Sequence, residues 1–150
     1  MQPFLVKQIT TFMGVGYLPL VPGTFGSAAG LGIFLSVQGQ PLQVVLILAV
    51  LLALGLGFGG QAEKVFGKKD PKFVVIDEVC GMLISLLFLP RYDLQVLALA
   101  FVLFRGLDTV KIFPAGKIQD MHGAVGIIGD DVVAAVYTNA ILQVVLRVLS

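Results

Sequence analysis

Between Lys7 and Glu63 the chain carries no charged residue, and that gap excludes most folds open to a soluble chain of this length. An ordinary soluble domain is roughly 25% charged. Here charged residues make up 13% and hydrophobic ones 57%, with a mean hydropathy of +0.98. A soluble domain of 150 residues has too much surface for its volume to hide that much apolar side chain from water. A lipid bilayer can hide it. The net charge of +1 comes with no large basic patch, so no nucleic-acid partner is expected. The lone Cys80 excludes an internal disulfide or a CxxC metal site. Before the first apolar segment stands Lys7 but no compact basic region, so no cleaved signal peptide is expected.

The apolar runs are continuous rather than alternating, which favours helices over strands. Gly39-Gln40-Pro41 marks a turn. The apolar segments run from Ser27 to Gln38, Leu42 to Phe58, Val74 to Leu89, Leu94 to Phe104 and Val132 to Leu149. The first is short and rich in glycine and alanine, and the second is the strongest membrane span. Pro90 stops the third. No repeat or linker divides the sequence. The expected architecture is all-α: one integral-membrane domain over 1–150, a polytopic bundle of four to five apolar helices. The count turns on whether 27–38 crosses.

Lysine and arginine set the orientation. Lys7, Lys64, Lys68, Lys69, Lys72, Arg105, Lys111 and Lys117 fall with the N-terminus and the 61–76 and 105–131 regions, against Arg91 and Arg147 elsewhere. Eight against two places those regions together in the cytoplasm, on the inner membrane.

Depth is the informative quantity for the acids. At ~1.5 Å per residue, Asp77 lies roughly 18 Å from Leu89, Asp108 roughly 21 Å from Leu94, and Asp131 roughly 27 Å from Leu149. The hydrocarbon core is ~30 Å thick. Three chain-distant clusters are therefore expected near one level, at the cytoplasmic head groups. Ionisable groups there are costly and pair, bind an ion or face a polar cavity. Arg105, Asp108 and Lys111 share a helix face. Asp130 and Asp131 follow Gly129 at an expected helix start. Hard oxygen ligands beside cations suit Mg²⁺ and a phosphate group. The alternative is local pairing, with Asp108 on Arg105 or Lys111 and Asp130 as an N-cap. It leaves Asp77, Glu78 and Asp131 unexplained.

Two further features stay open. Pro19 to Ser27, rich in glycine and proline, could present backbone N–H groups to an anion, with Thr24 and Ser27 adding hydroxyls, or could serve close packing through Ala28, Ala29 and Gly30. It is not a P-loop. His122 suits either an acid–base or phosphate contact or an ordinary surface loop. Cys80 reads as packing, because Leu86 stands where a cysteine-dependent phosphatase loop would need arginine.

Four collinear blocks resemble the phosphatidylglycerophosphatase A family. They are Gly16 to Pro19 with Pro22 to Ser27, Val75 to Met82, Phe104 to Lys111, and His122-Gly123 through Gly126-Ile127 to Asp130-Asp131. The resemblance covers about Phe12 to Tyr137. Ile112 replaces a family proline, Pro114 is kept, and Gly123-Ala124 replaces a glycine pair. The resemblance implies Mg²⁺-dependent hydrolysis of the phosphate monoester of phosphatidylglycerophosphate, a phospholipid in the membrane. It implies Asp77, Glu78 and Asp131 as catalytic residues. Asp77, Glu78, Asp108, Asp130 and Asp131 are the metal candidates, and Thr24, Ser27, Arg105, Lys111 and His122 the substrate contacts. The competing class is a transport or channel subunit with ion-binding acids. The outer halves, Leu83 to Leu89 and Leu94 to Phe104, carry no ionisable group, which argues for a site open to one leaflet.

Overall fold

The computed structural model describes residues 2–38 and 40–150, and among them every regular element is helical. The helices are α1 (Pro3–Thr10), α2 (Pro22–Ser36), α3 (Pro41–Phe66), α4 (Ile76–Ser85), α5 (Leu94–Val110), α6 (Ala115–Gln119) and α7 (Ala124–Val148), with a 3-10 turn at Val15–Tyr17. Of the expected turn, Gly39 lies outside the described residues, while Gln40 caps α3 and Pro41 is its first residue.

Helix length supports two of the four to five crossings expected. Among the described residues only α3 and α7 are long and apolar enough to cross a membrane. The segment Val74 to Leu89, expected as a span, yields a helix of 10 residues. At ~1.5 Å per residue it reaches only ~15 Å, half of a ~30 Å core. Nor does it face outward: Ile76, Val79, Met82, Leu83 and Leu86 are all buried. It is the central strut of the bundle, packed chiefly against α2 and α7.

A short central helix leaves carbonyls without partners, and in an apolar interior each such group is costly. Side chains from elsewhere answer them. Asn139 Nδ2 on α7 donates to the carbonyls of Ile84, Ser85 and Leu87 at 3.1, 3.2 and 2.8 Å. Gln143 donates to Phe88 O at 2.9 Å, and Tyr92 Oη to Leu86 O at 2.9 Å. Asn139→Leu should therefore destabilise the protein by about 1–3 kcal/mol, measured as a lowered Tm in detergent. An unchanged Tm would remove Asn139 from this role.

Small residues set the approach of α2 to α4, and of the expected Ala28, Ala29 and Gly30 it is Gly30 that stands in the seam. Gly26, Ser27 and Gly30 form the buried face, while Ala28 is exposed. A Cβ on Gly30 would lie 2.8 Å from Val79 O, and one on Gly26 would lie 2.9 Å from Val75 Cβ. Any side chain at either position would push α2 away from the N-terminal turn of α4, where Asp77 and Glu78 stand.

The outer surfaces are apolar. Leu42, Leu46, Val50 and Leu56 on α3, Leu94 and Val102 on α5, and Val136, Val144 and Val148 on α7 are all exposed. A soluble monomer rarely shows so extensive an apolar girdle. At one end the two basic regions are tied together: Lys69 Nζ donates to Asp120 O at 2.7 Å, and Gln119 to Asp70 Oδ2 at 3.3 Å. Lys7 joins them, its ammonium lying 5.7 Å from the Phe66 ring centre. At the other end Asp93 pairs with Arg91 at 3.2 Å and caps α5 through Val96 N.

Candidate active site

Three helices bring carboxylates to one cavity of about 300 Å³. Asp77 and Glu78 occupy the first turn of α4, where the positive end of the helix dipole favours anions. Asp108 lies in the last turn of α5. Asp130 and Asp131 project from α7, well inside it, because α7 begins at Ala124 with Gly123 as its cap. That placement corrects the expectation of a helix start at Gly129 and the reading of Asp130 as an N-cap. The glycine-bearing stretch before Asp130 is itself helical from Ala124, and its glycines serve packing: a Cβ on Gly126 would land on Met121 O, and one on Gly129 on the Ile118 side chain.

Charges pair on one side of the cavity and stay open on the other. Lys111 Nζ donates to Asp108 Oδ1 at 2.7 Å and to Asp130 Oδ2 at 2.6 Å. Arg105 donates to Asp108 Oδ2 at 3.0 Å, so both Asp108 oxygens are engaged. Lys111 sits at the C-cap of α5 with positive φ. Burial alone would depress its ammonium, but the carboxylates of Asp108 and Asp130 outweigh that and hold it above the ordinary lysine range.

The open side is defined by oxygens. Among the described residues Asp77 Oδ1, Glu78 Oε2, Asp130 Oδ1 and Asp131 Oδ2 are buried without a hydrogen-bond partner. Buried carboxylate oxygens are very seldom left so. One oxygen each from Asp77, Asp130 and Asp131 lie within 4.8 Å of one another, and so do one each from Glu78, Asp108 and Asp131. Such a cluster of hard oxygen donors, facing one another with little cationic relief, fits a divalent metal ion.

Above the acids lies the start of α2. Val21, Pro22 and Gly23 line the cavity with Lys72 and Arg105. A Cβ on Gly23 would lie 2.8 Å from Glu78 Oε1 and 3.0 Å from Arg105 Nη2, so the absence of a side chain lets the backbone close over both. The arrangement can receive an anion on Arg105, Lys72 and the Gly23 backbone beside a cation on the carboxylates.

The model of the phosphatidylglycerophosphatase A family matches residues 8–146. This chain belongs to that family. A phosphatidylglycerophosphatase A of Escherichia coli is 37% identical over 131 residues, covering 86% of this chain and 76% of the relative. One of Haemophilus influenzae is 35% identical over 136 residues, covering 88% and 83%. A Bacteroides thetaiotaomicron protein bearing the name "Putative phosphatidylinositol-3-phosphatase" is 35% identical over 150 residues, covering 94% and 93%. No solved structure matches the chain.

In this member of the family, three residues expected at the substrate lie elsewhere. Ser27 is fully buried in the α2–α4 seam, and its hydroxyl donates to Gly23 O at 3.0 Å. Thr24 follows the cavity-lining turn but does not line the cavity. His122 is exposed in a separate depression with Gly60, Gln61 and Glu63, where Glu63 Oε2 accepts from Gly123 N at 3.2 Å. The backbone of the Pro19 to Ser27 stretch reaches the cavity at Val21, Pro22 and Gly23, whereas sequence reasoning missed Asp70 and Lys72 as lining residues. Lys72 was readable only as one of several loop lysines. Proximity of Gly23 to Arg105 spans two distant helices and leaves no local signal.

Proposed function

We propose that this chain, folded as one unit over 1–150, hydrolyses the phosphate monoester of phosphatidylglycerophosphate, giving phosphatidylglycerol and inorganic phosphate. The observation that carries the reading is the set of four unpartnered buried carboxylate oxygens beside Arg105 and Lys72 in one cavity. The apolar girdle and the two long helices support a multi-pass protein of the cytoplasmic membrane. The clustering of the basic regions at the cavity end supports a site facing the cytoplasm.

Asp77, Asp130 and Asp131 would hold Mg²⁺. When bound, the ion supplies positive charge to the phosphoryl group and acidity to water. Asp108 is left to the cations: it fixes Arg105 and Lys111 in place. Arg105 and Lys72 receive the phosphate oxygens with charge-assisted hydrogen bonds. Glu78, whose Oε2 is buried without a hydrogen-bond partner, accepts the proton of the attacking water. The water oxygen forms the new bond to phosphorus, the bond from phosphorus to the lipid oxygen breaks, and that oxygen leaves as the alcohol by taking up the proton that Glu78 received.

Purified protein in mixed micelles should release phosphate from phosphatidylglycerophosphate in Mg²⁺ and not in a chelator. Release from phosphatidic acid and phosphatidylinositol 3-phosphate should be slower. No release, or equal release in the chelator, overturns the proposal. Faster release from the inositol lipid would reassign the substrate.

A further inference from the structure

The cavity of about 300 Å³ is at the small end of ligand sites, which run roughly 300–1,000 Å³. It has room for a phosphorylated head group but not for acyl chains, so the tails of any lipid substrate must stay outside its mouth. Beside that mouth stands an apolar segment with nothing of its own protein to cover it. Met13, Tyr17, Leu18, Leu20 and Val21 are all exposed, Leu20 at 96% and Met13 at 78%. Val21 is both the end of this segment and part of the cavity wall.

The exposure is built in. Gly16 is buried against the Phe73 backbone, where a Cβ would land on the carbonyl. Val75 N donates to Thr10 O at 2.9 Å, and Gly16 N to Thr11 O at 2.9 Å. The segment is thus tied to the strip that carries Lys72. Met13 and Leu20 have φ of +54° and +75°, a conformation unfavourable to side chains of this kind. Leu20 bears that cost while burying almost nothing within the protein.

Beneath the segment lies an aromatic stack headed by Tyr17, a residue type enriched at head-group depth. Tyr17 and Phe73 have ring centres 5.4 Å apart, and Phe73 and Phe66 5.6 Å. The ammonium groups of Lys72 and Lys7 lie over the Phe73 and Phe66 rings, each 5.7 Å from the centre. Lysines there suit an anionic lipid surface.

The geometry points to Met13–Val21 as a rigid lip that inserts into the acyl region of the bilayer beside the cavity mouth, so that a lipid head group passes into the cavity while its tails remain in the leaflet. This deepens the phosphatase reading and rests on it for the identity of the head group. The insertion itself does not depend on that identity.

The protein has no tryptophan, so Leu20→Trp makes a single reporter. It should be tested in full-length protein reconstituted into vesicles of phosphatidylethanolamine and phosphatidylglycerol with acyl-brominated lipids. Emission should be blue-shifted and strongly quenched by bromine placed near the head-group end of the chains. Lys68→Trp, in the exposed polar loop, should be quenched little. Equal quenching of the two overturns the inference, whatever the enzyme's activity. Leu20→Asp should then lose roughly tenfold or more in turnover of vesicle-borne substrate, through KM, and keep its rate on a short-chain monomeric analogue. Equal loss on both substrates overturns the lip's role in access. Absence of phosphate release by the unaltered protein from either substrate would instead count against the phosphatase reading and leave the quenching result standing.

Discussion

Asp131→Asn is expected to lower kcat/KM for phosphate release at least about a hundredfold, since even residues that merely support a metal ligand cost 10–100-fold when changed. Asp131 is the one carboxylate common to both oxygen groups, and it is almost fully buried. The amide has the same shape and removes one of several like charges packed within 4.8 Å. Without metal, the variant should therefore melt no lower than the parent and refold normally. With Mg²⁺ the parent should gain thermal stability by ligand linkage, and the variant should not. Activity within threefold of the parent, or an undiminished Mg²⁺-dependent rise in Tm, would remove Asp131 from the metal site.

Lys111→Met is expected to act on stability first. It strands Asp130 and leaves Asp108 with Arg105 alone, both acids being buried, and removing one partner of a buried pair costs roughly 3–5 kcal/mol. Lys111 keeps 26% of its side chain exposed, so the lower end, about 3 kcal/mol, is appropriate. Adding Asp130→Asn should recover part of the loss, as a double-mutant cycle would show. The pH sense follows from the raised ammonium. A group whose folded pKa exceeds its unfolded value contributes fully below the unfolded value, and the contribution is lost as pH climbs through the folded one. The difference between parent and Lys111→Met should thus be constant through neutral pH and shrink only above the ordinary lysine range. A difference that vanishes near neutrality would contradict the pairing.

The acids were legible because depth is nearly one-dimensional. A residue count from the end of an apolar run gives height without any knowledge of neighbours where the helix runs through the count, as for Asp108 and Asp131; Asp77 meets them although α4 stops at Ser85. What height cannot give is azimuth. Ser27 and Thr24 follow the cavity-lining turn in sequence, yet the helical rotation of α2 turns Ser27 into the α4 seam. His122 precedes the helix bearing Asp130 but points to another depression. Helix α4 was misread as a span because hydropathy does not separate lipid-facing from protein-facing leucines. Its true length is set by Asn139 and Gln143 on a distant helix. The start of α7 was placed too late because Gly126 and Gly129 read as loop residues, whereas their missing side chains admit neighbouring elements.

The side-chain amide of Asn139 does more than cap a helix end. It fastens the far end of α4 to the same α7 that carries Asp130 and Asp131 about two turns earlier. Asp77 and the aspartate pair are therefore mounted on two members of a single truss, closed at the top by hydrogen bonds from the Asn139 amide to carbonyls and at the bottom by whatever the carboxylates hold. A truss of this kind keeps its angles when the surrounding medium softens. Stripping away lipid would then be expected to impair the delivery of substrate well before it disturbs the spacing of the acids, so that extracted protein retains its metal affinity after its turnover of long-chain substrate has declined.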